Sequence, residues 1–310
     1  MRIAVFGAGG IGGYLGARLA QAGDDIVLIG RGPHLAAIQA HGLFVESPTG
    51  DFHVTPSVAT DRPEDVGVVD AVLLGVKTWD VRAAAAAIRP MVGATTGVLT
   101  LQNGVEAPME VAEVLGKEHV IVGVAIIRCL ITAPGRLRHV SSLDPNLILG
   151  EIDNRLSARV EHIRAALAKV NVSVNVPENI QTWLWGKLVS VAAMGGVGAV
   201  VRVPLGVWRQ IPQVRAMVEQ AAQEVVAVAR ARGVRPPEGI MDLMKRSIDA
   251  SPPATMLSMH EEIVGGKPSE LDYWNGAVVR LGREARVPTP LNEFIYHSLL
   301  PQEMKSRGQV

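Results

Sequence analysis

Cysteine is nearly absent from this chain. One residue, Cys129, in 310 rules out an internal disulfide framework and fits a reducing compartment, so the expected location is the cytoplasm. Aromatic side chains make up only 4% of the sequence, and 30 basic residues are balanced by 30 acidic ones. No sustained basic run occurs, which removes the electrostatic footprint of a nucleic-acid binder. Uninterrupted apolar runs are missing too. The longest, at 188–201, is broken by Ser190, Gly195, Gly196 and Gly198 and is shorter than the ~20 residues a bilayer span needs. It reads as a buried helix, and no membrane partner is expected. The first residues enter a strand-like run at once, without the charged, apolar and small-residue order of a signal peptide. The eight histidines show no metal-ligand spacing. His260 beside Glu261 and Glu262 reads as a solvated helix face, so no metal is expected.

What remains is enough apolar material, 48% of the residues, for two packed cores. Short apolar runs at 3–6, 26–29, 71–76, 97–101 and 120–124 alternate with helical stretches, including the alanine-rich 81–88. Strands apolar on both faces and separated by helices imply a parallel sheet covered on both sides. The pattern changes over 126–150, where Pro134-Gly135 signals the turn of an antiparallel hairpin. A helix at 157–168 and a short strand at 172–174 follow. From 177 onward only helices are expected, at 179–201, 213–232, 240–248, 255–264 and 269–285. The fold class is therefore α/β: a Rossmann-type doubly wound domain over 1–176, then an all-α domain over 177–310 that would bind the substrate.

Gly7-Ala8-Gly9-Gly10-Ile11-Gly12 fits G-x-G-x-x-G between a strand and a helix, the context that gives this motif its meaning. Gly7 permits the tight turn, Gly9 the approach of a pyrophosphate and Gly12 close helix–strand packing, with the helix N-terminus offering amides to phosphate. The second strand then ends at Arg31, where an NAD site usually carries an acid. A guanidinium suits a 2′-phosphate, so NADPH is the expected cofactor. The alternative is a solvated loop arginine. Lys77 and Asn103 follow later strands at the ligand-facing edge. Lys77 would meet cofactor phosphate or ribose, or else is a surface lysine; Asn103 would bond cofactor or substrate, or else stabilises its turn.

Of seven lysines, only Lys187 sits in an apolar helix, in Trp183-Leu184-Trp185-Gly186-Lys187-Leu188-Val189. A partly desolvated ammonium makes a good proton donor, whereas a lysine at the helix edge would snorkel to water. Ser269-Glu270-Leu271-Asp272 has the chemistry of a helix start, with Ser269 as N-cap and Asp272 completing an acidic capping box. On that reading Glu270 serves the helix alone.

Taken together these segments carry a resemblance. The glycine motif, Arg31, Lys77, Leu101-Gln102-Asn103-Gly104-Val105-Glu106, Trp185-Gly186-Lys187-Leu188 and the stretch from Ser258 through Glu270-Leu271-Asp272-Tyr273-Trp274-Asn275-Gly276 are similar to those of the ketopantoate reductases over nearly the whole chain. The resemblance implies NADPH-dependent reduction of 2-dehydropantoate to pantoate, on the way to pantothenate and coenzyme A. It implies Lys187 as proton donor to the carbonyl oxygen. Glu270 would anchor the substrate hydroxyl and cofactor groups, Ser258 the substrate carboxylate, and Asn103 both ligands. The family usually carries asparagines one and two turns after the lysine and again near 205; here these positions are Val191, Gly195 and Leu205. An apolar wall does not replace hydrogen bonds to a polar substrate, so a related reductase or D-2-hydroxyacid dehydrogenase acting on a more apolar 2-keto acid is the alternative. A pair of identical subunits is left open as the assembly.

Overall fold

The computed structural model describes residues 1–140 and 146–310. Two compact units emerge: Met1–Gln102 with Ala107–Ile180, and Asn103–Glu106 with Gln181–Val310. Residues 141–145, within the 126–150 hairpin expectation, lie outside the described residues.

The first unit is built from β1 (Arg2–Phe6), α1 (Gly10–Gln21), β2 (Asp25–Ile29), α2 (Gly32–His41), β3 (Leu43–Glu46), β4 (Phe52–Val54), β5 (Val58–Thr60), β6 (Val69–Leu74), α3 (Val81–Ala87), β7 (Val92–Thr100), α4 (Ala107–Leu115), β8 (Val120–Ile126), β9 (Cys129–Ala133), β10 (Arg136–His139), β11 (Asn146–Glu151), α5 (Ala158–Ala168) and β12 (Ser173–Asn175). Eight strands form one sheet in the order β12-β11-β8-β7-β6-β1-β2-β5. Every pairing in it is parallel except β11 with β8. Helices cover the sheet, which is why Ile3, Ala4 and Val5 are all fully buried and the strands read as continuous apolar runs. β1 lies between β2 and β6, so the chain winds outward from it in both directions. The carboxyl ends of those strands form the crevice where such sheets bind ligands.

A second sheet, β4-β3-β10-β9, was not expected from the sequence. The Pro134-Gly135 turn does join antiparallel β9 and β10, but β10 also pairs in parallel with β3. This small sheet packs on α1. A methyl at Gly10 would lie 2.1 Å from the Cys129 carbonyl oxygen, so only glycine lets the helix start this close to β9.

The second unit contains the helices α6 (Ile180–Val201), α7 (Leu205–Trp208), α8 (Pro212–Ala231), α9 (Ile240–Ala250), α10 (Ser258–Val264), α11 (Asn275–Glu284) and α12 (Pro290–Ser306). Helix α6 is long and apolar enough to cross a membrane by composition alone, with mean hydropathy 1.6, yet 78% of that window is buried in the protein. It is a core helix, apolar nearly all round because it is surrounded. A polar network ties the others to it. Asn275 donates to the Ala192 carbonyl at 3.2 Å and to Asn292 at 2.9 Å, and Asn292 donates to Glu224 at 2.8 Å.

The expected helix over 269–285 is interrupted. Leu271–Tyr273 forms a 3₁₀ turn, and α11 begins only at Asn275. The proposed capping box forms only in part. The Ser269 amide donates to Glu303 at 3.0 Å and its hydroxyl to the same carboxylate at 2.6 Å. Asp272 instead accepts from Arg280 at 2.8 Å and Tyr296 at 2.9 Å. The Ser269 hydroxyl still accepts from the Leu271 amide at 3.3 Å, so only the Asp272 arm of the box is lost, drawn off by the stronger charge-assisted bond from Arg280.

Candidate active site

In the first unit the glycine loop runs from β1 into α1. Gly7 has φ +96°, and a Cβ there would lie 2.8 Å from the Gly75 backbone. A Cβ on Gly12 would lie 2.4 Å from the Gly7 carbonyl oxygen, so the loop, α1 and the end of β6 close on one another without side chains. Gly9 differs: nothing stands within 4 Å of where its Cβ would be. The Gly7 and Ala8 amides both donate to the Ile29 carbonyl, at 2.9 and 3.3 Å, which fixes the loop across the end of β2. Gly9 caps α1 with no side-chain hydrogen bond, and no acid occupies the first turn. The leading amides of Gly10, Ile11 and Gly12 precede the first helical bond, made by Gly13 to Gly9 at 2.8 Å, and suit an anion. The open side at Gly9 and this acid-free turn fit the pyrophosphate of a dinucleotide.

Arg31 sits at the N-cap of α2, directly after β2. Its side chain is exposed and makes no hydrogen bond or ion pair with the described residues. Lys77 is exposed after β6, with its ammonium 5.7 Å from the centre of the Trp79 ring. Beyond β7, Gln102 donates to the carbonyls of Leu74 at 2.7 Å and Val76 at 2.9 Å, tying the ends of β6 and β7 together. Sequence reading assigned Gln102 no role; its partners are 28 and 26 residues away.

Asn103, half-buried, belongs with the helical unit. Its segment is gripped there by Arg280, which donates to Glu106 at 2.8 Å while holding Asp272. Gly104 has φ +101°, and a Cβ on it would stand 3.0 Å from the Tyr273 carbonyl oxygen. The tail motif thus supports Asn103 through Tyr273 and Arg280, a connection the spacing along the chain does not reveal.

Lys187 lies on α6, half-buried and without a hydrogen bond or ion pair to any described residue. Burial pushes its pKa below the ordinary lysine value, as expected for an ammonium held away from water with no compensating anion. One and two turns on, Val191 is buried, and a Cβ on Gly195 would meet the ring edge of Trp274 at 2.9 Å and the Met259 methyl at 3.5 Å. Leu205 is also buried. Glu270 is buried at the head of the 3₁₀ turn, positioned by the neighbouring Ser269–Glu303 clamp. Arg307 reinforces that clamp, donating to Glu303 at 2.6 Å and to the Ser269 carbonyl at 2.9 Å. Ser258 is exposed at the first turn of α10.

Residues 3–154 match the family model "Ketopantoate reductase PanE/ApbA", and residues 179–303 match its C-terminal counterpart. A 2-dehydropantoate 2-reductase of Mesorhizobium japonicum is 32% identical over 94% of this chain and 94% of its own. The crystal structure of a PanE/ApbA family ketopantoate reductase from Ralstonia eutropha superposes with a TM-score of 0.90 at 31% identity, covering 99% of this chain and all of that one. A D-mandelate dehydrogenase solved with NADH and anilino(oxo)acetate has a TM-score of 0.89 over 99% of both chains, at 21% identity, and so shares the fold. The chain belongs to the ketopantoate reductase family of nicotinamide-dependent oxidoreductases.

Proposed function

We propose that this chain reduces a small 2-keto acid with NADPH, and that 2-dehydropantoate, yielding pantoate for pantothenate and coenzyme A, is the first substrate to test. The observation that carries this reading is the half-buried ammonium of Lys187, unpaired among the described residues. The nicotinamide, when bound, supplies hydride to the carbonyl carbon. As negative charge develops on the carbonyl oxygen, Lys187 Nζ donates its proton there, and the low-dielectric surroundings strengthen that interaction. Glu270 accepts from the substrate hydroxyl, Ser258 binds the carboxylate and Asn103 orients the acid. Arg31 binds the 2′-phosphate with its forked donors, Lys77 adds positive charge at the same sheet edge, and the residues 7–12 hold the pyrophosphate.

A second reading has a specific observation behind it. The turns of α6 that follow Lys187 present Val191 and Gly195, with Trp274 and Met259 beside the glycine, where a hydroxylated substrate would want hydrogen-bonding groups. That wall suits a branched or aromatic 2-keto acid. The deciding experiment is steady-state turnover of purified protein on 2-dehydropantoate and a panel of branched and aromatic 2-keto acids, with NADPH and NADH in parallel. The expected result is a higher kcat/KM with NADPH and with 2-dehydropantoate. Faster turnover of an apolar keto acid would replace the substrate, and no turnover of any would remove the assignment.

A further inference from the structure

We propose that His34 is a positioning residue that holds the glycine loop and Arg31 together as one nucleotide-binding surface. The inference rests on the dinucleotide reading of that loop and adds a residue that contacts no ligand itself.

His34 is half-buried in the first turn of α2, three residues after Arg31. Both ring nitrogens are committed to backbone. The Gly135 amide donates to Nδ1 at 3.1 Å, which requires Nδ1 to be bare. The proton therefore sits on Nε2, which donates to the Ala8 carbonyl at 3.0 Å. Burial lowers the pKa of the ring, outweighing the opposing pull of the Ala8 and Ala133 carbonyls beside it, which is consistent with the neutral form.

The consequence follows from the planarity of the peptide. In a trans peptide the carbonyl of one residue and the amide of the next point in opposite directions. By holding the Ala8 oxygen, His34 turns the Gly9 amide to the opposite side. On the amide side of the same residue, the Ala8 N–H is already anchored to Ile29. The orientation of the peptide at the tip of the loop is therefore set from both ends. The same side chain fixes the start of α2, whose N-cap is Arg31, so the donors for the pyrophosphate and the cation for the 2′-phosphate share one brace.

The test is direct titration of NADPH and NADH into wild-type protein and the His34→Leu and His34→Gln variants, followed by nicotinamide fluorescence, with kcat measured at saturating cofactor. His34→Leu is expected to weaken NADPH by about tenfold and NADH by less, contracting the preference for NADPH. Its kcat at saturation should stay within about twofold of wild type. His34→Gln, whose amide can donate to Ala8 and accept from Gly135, should restore most of the loss. If the leucine variant does not fold, His34→Asn, polar but too short to span both partners, takes its place. A folded variant with unchanged NADPH affinity overturns the proposal. So does equal weakening of both nucleotides without rescue by glutamine, the pattern of a merely structural histidine. Wild-type protein that binds neither nucleotide would remove the dinucleotide reading itself, an outcome distinct from either.

Discussion

At the scale of single residues, the role proposed for Lys187 sets activity against stability. Its pKa is depressed in the folded protein, so the unfolded chain holds the proton more tightly. Folding is penalised wherever the ammonium is protonated, and the penalty disappears only as pH rises through the ordinary lysine range. Lys187→Met removes that penalty. The variant should unfold at the same or a higher denaturant midpoint at neutral pH while losing about 10²-fold or more in kcat, with NADPH affinity retained. The proposed donor also has to be protonated to act. The reduction rate of the wild-type enzyme should therefore fall as pH rises through the lowered Lys187 pKa, below the 10.5 of a free lysine. A rate independent of alkaline pH, or a methionine variant of full activity, would take Lys187 out of the mechanism.

At the scale of elements, two adjacent glycines separate packing from binding. Gly10 abuts the Cys129 carbonyl of β9, and neither backbone can yield without moving α1 or the small sheet. Gly10→Ala should cost about 1–3 kcal/mol in denaturant unfolding. Gly9 has open space where a methyl would go, and its φ of −74° suits alanine. Gly9→Ala should leave stability within about 0.5 kcal/mol and still weaken dinucleotide binding, because the methyl occupies the approach of the pyrophosphate. Equal nucleotide affinity in Gly9→Ala would mean that the open side of the loop is not where the phosphates lie.

At the scale of the whole molecule, the doubly wound sheet was legible because its strands are buried on both faces and so appear as uninterrupted apolar runs such as 3–6 and 71–74. The helical half was legible from α6, whose apolar residues cover every face. The small sheet was not: β3 and β4 are 4 and 3 residues long, and Glu46 and His53 interrupt the apolar pattern. Helix α12 escaped notice because Pro301 lies inside it. Gly7 and Lys187 could be singled out from local sequence, and Glu270 only through the family resemblance. The residues that position them could not. His34 reaches Gly135 across 101 residues, Arg280 reaches Glu106 across 174, and Glu303 reaches Ser269 across 34. No local pattern encodes such pairings, and the same long-range bonds explain why the 269–285 segment kinks where propensity alone would run straight.

Cys129 joins the sheet whose edge seats the glycine loop, and burial raises its thiol to about 12. Thiolate is the reactive form, so alkylation of the native protein must wait for β9 to part from α1. With a single thiol in the chain, maleimide uptake becomes a clock for that one opening event. The clock should run slower with NADPH bound, since a ligand that favours the closed loop raises the cost of opening it. Rapid uptake by the folded, ligand-free enzyme would show that this seam is already ajar.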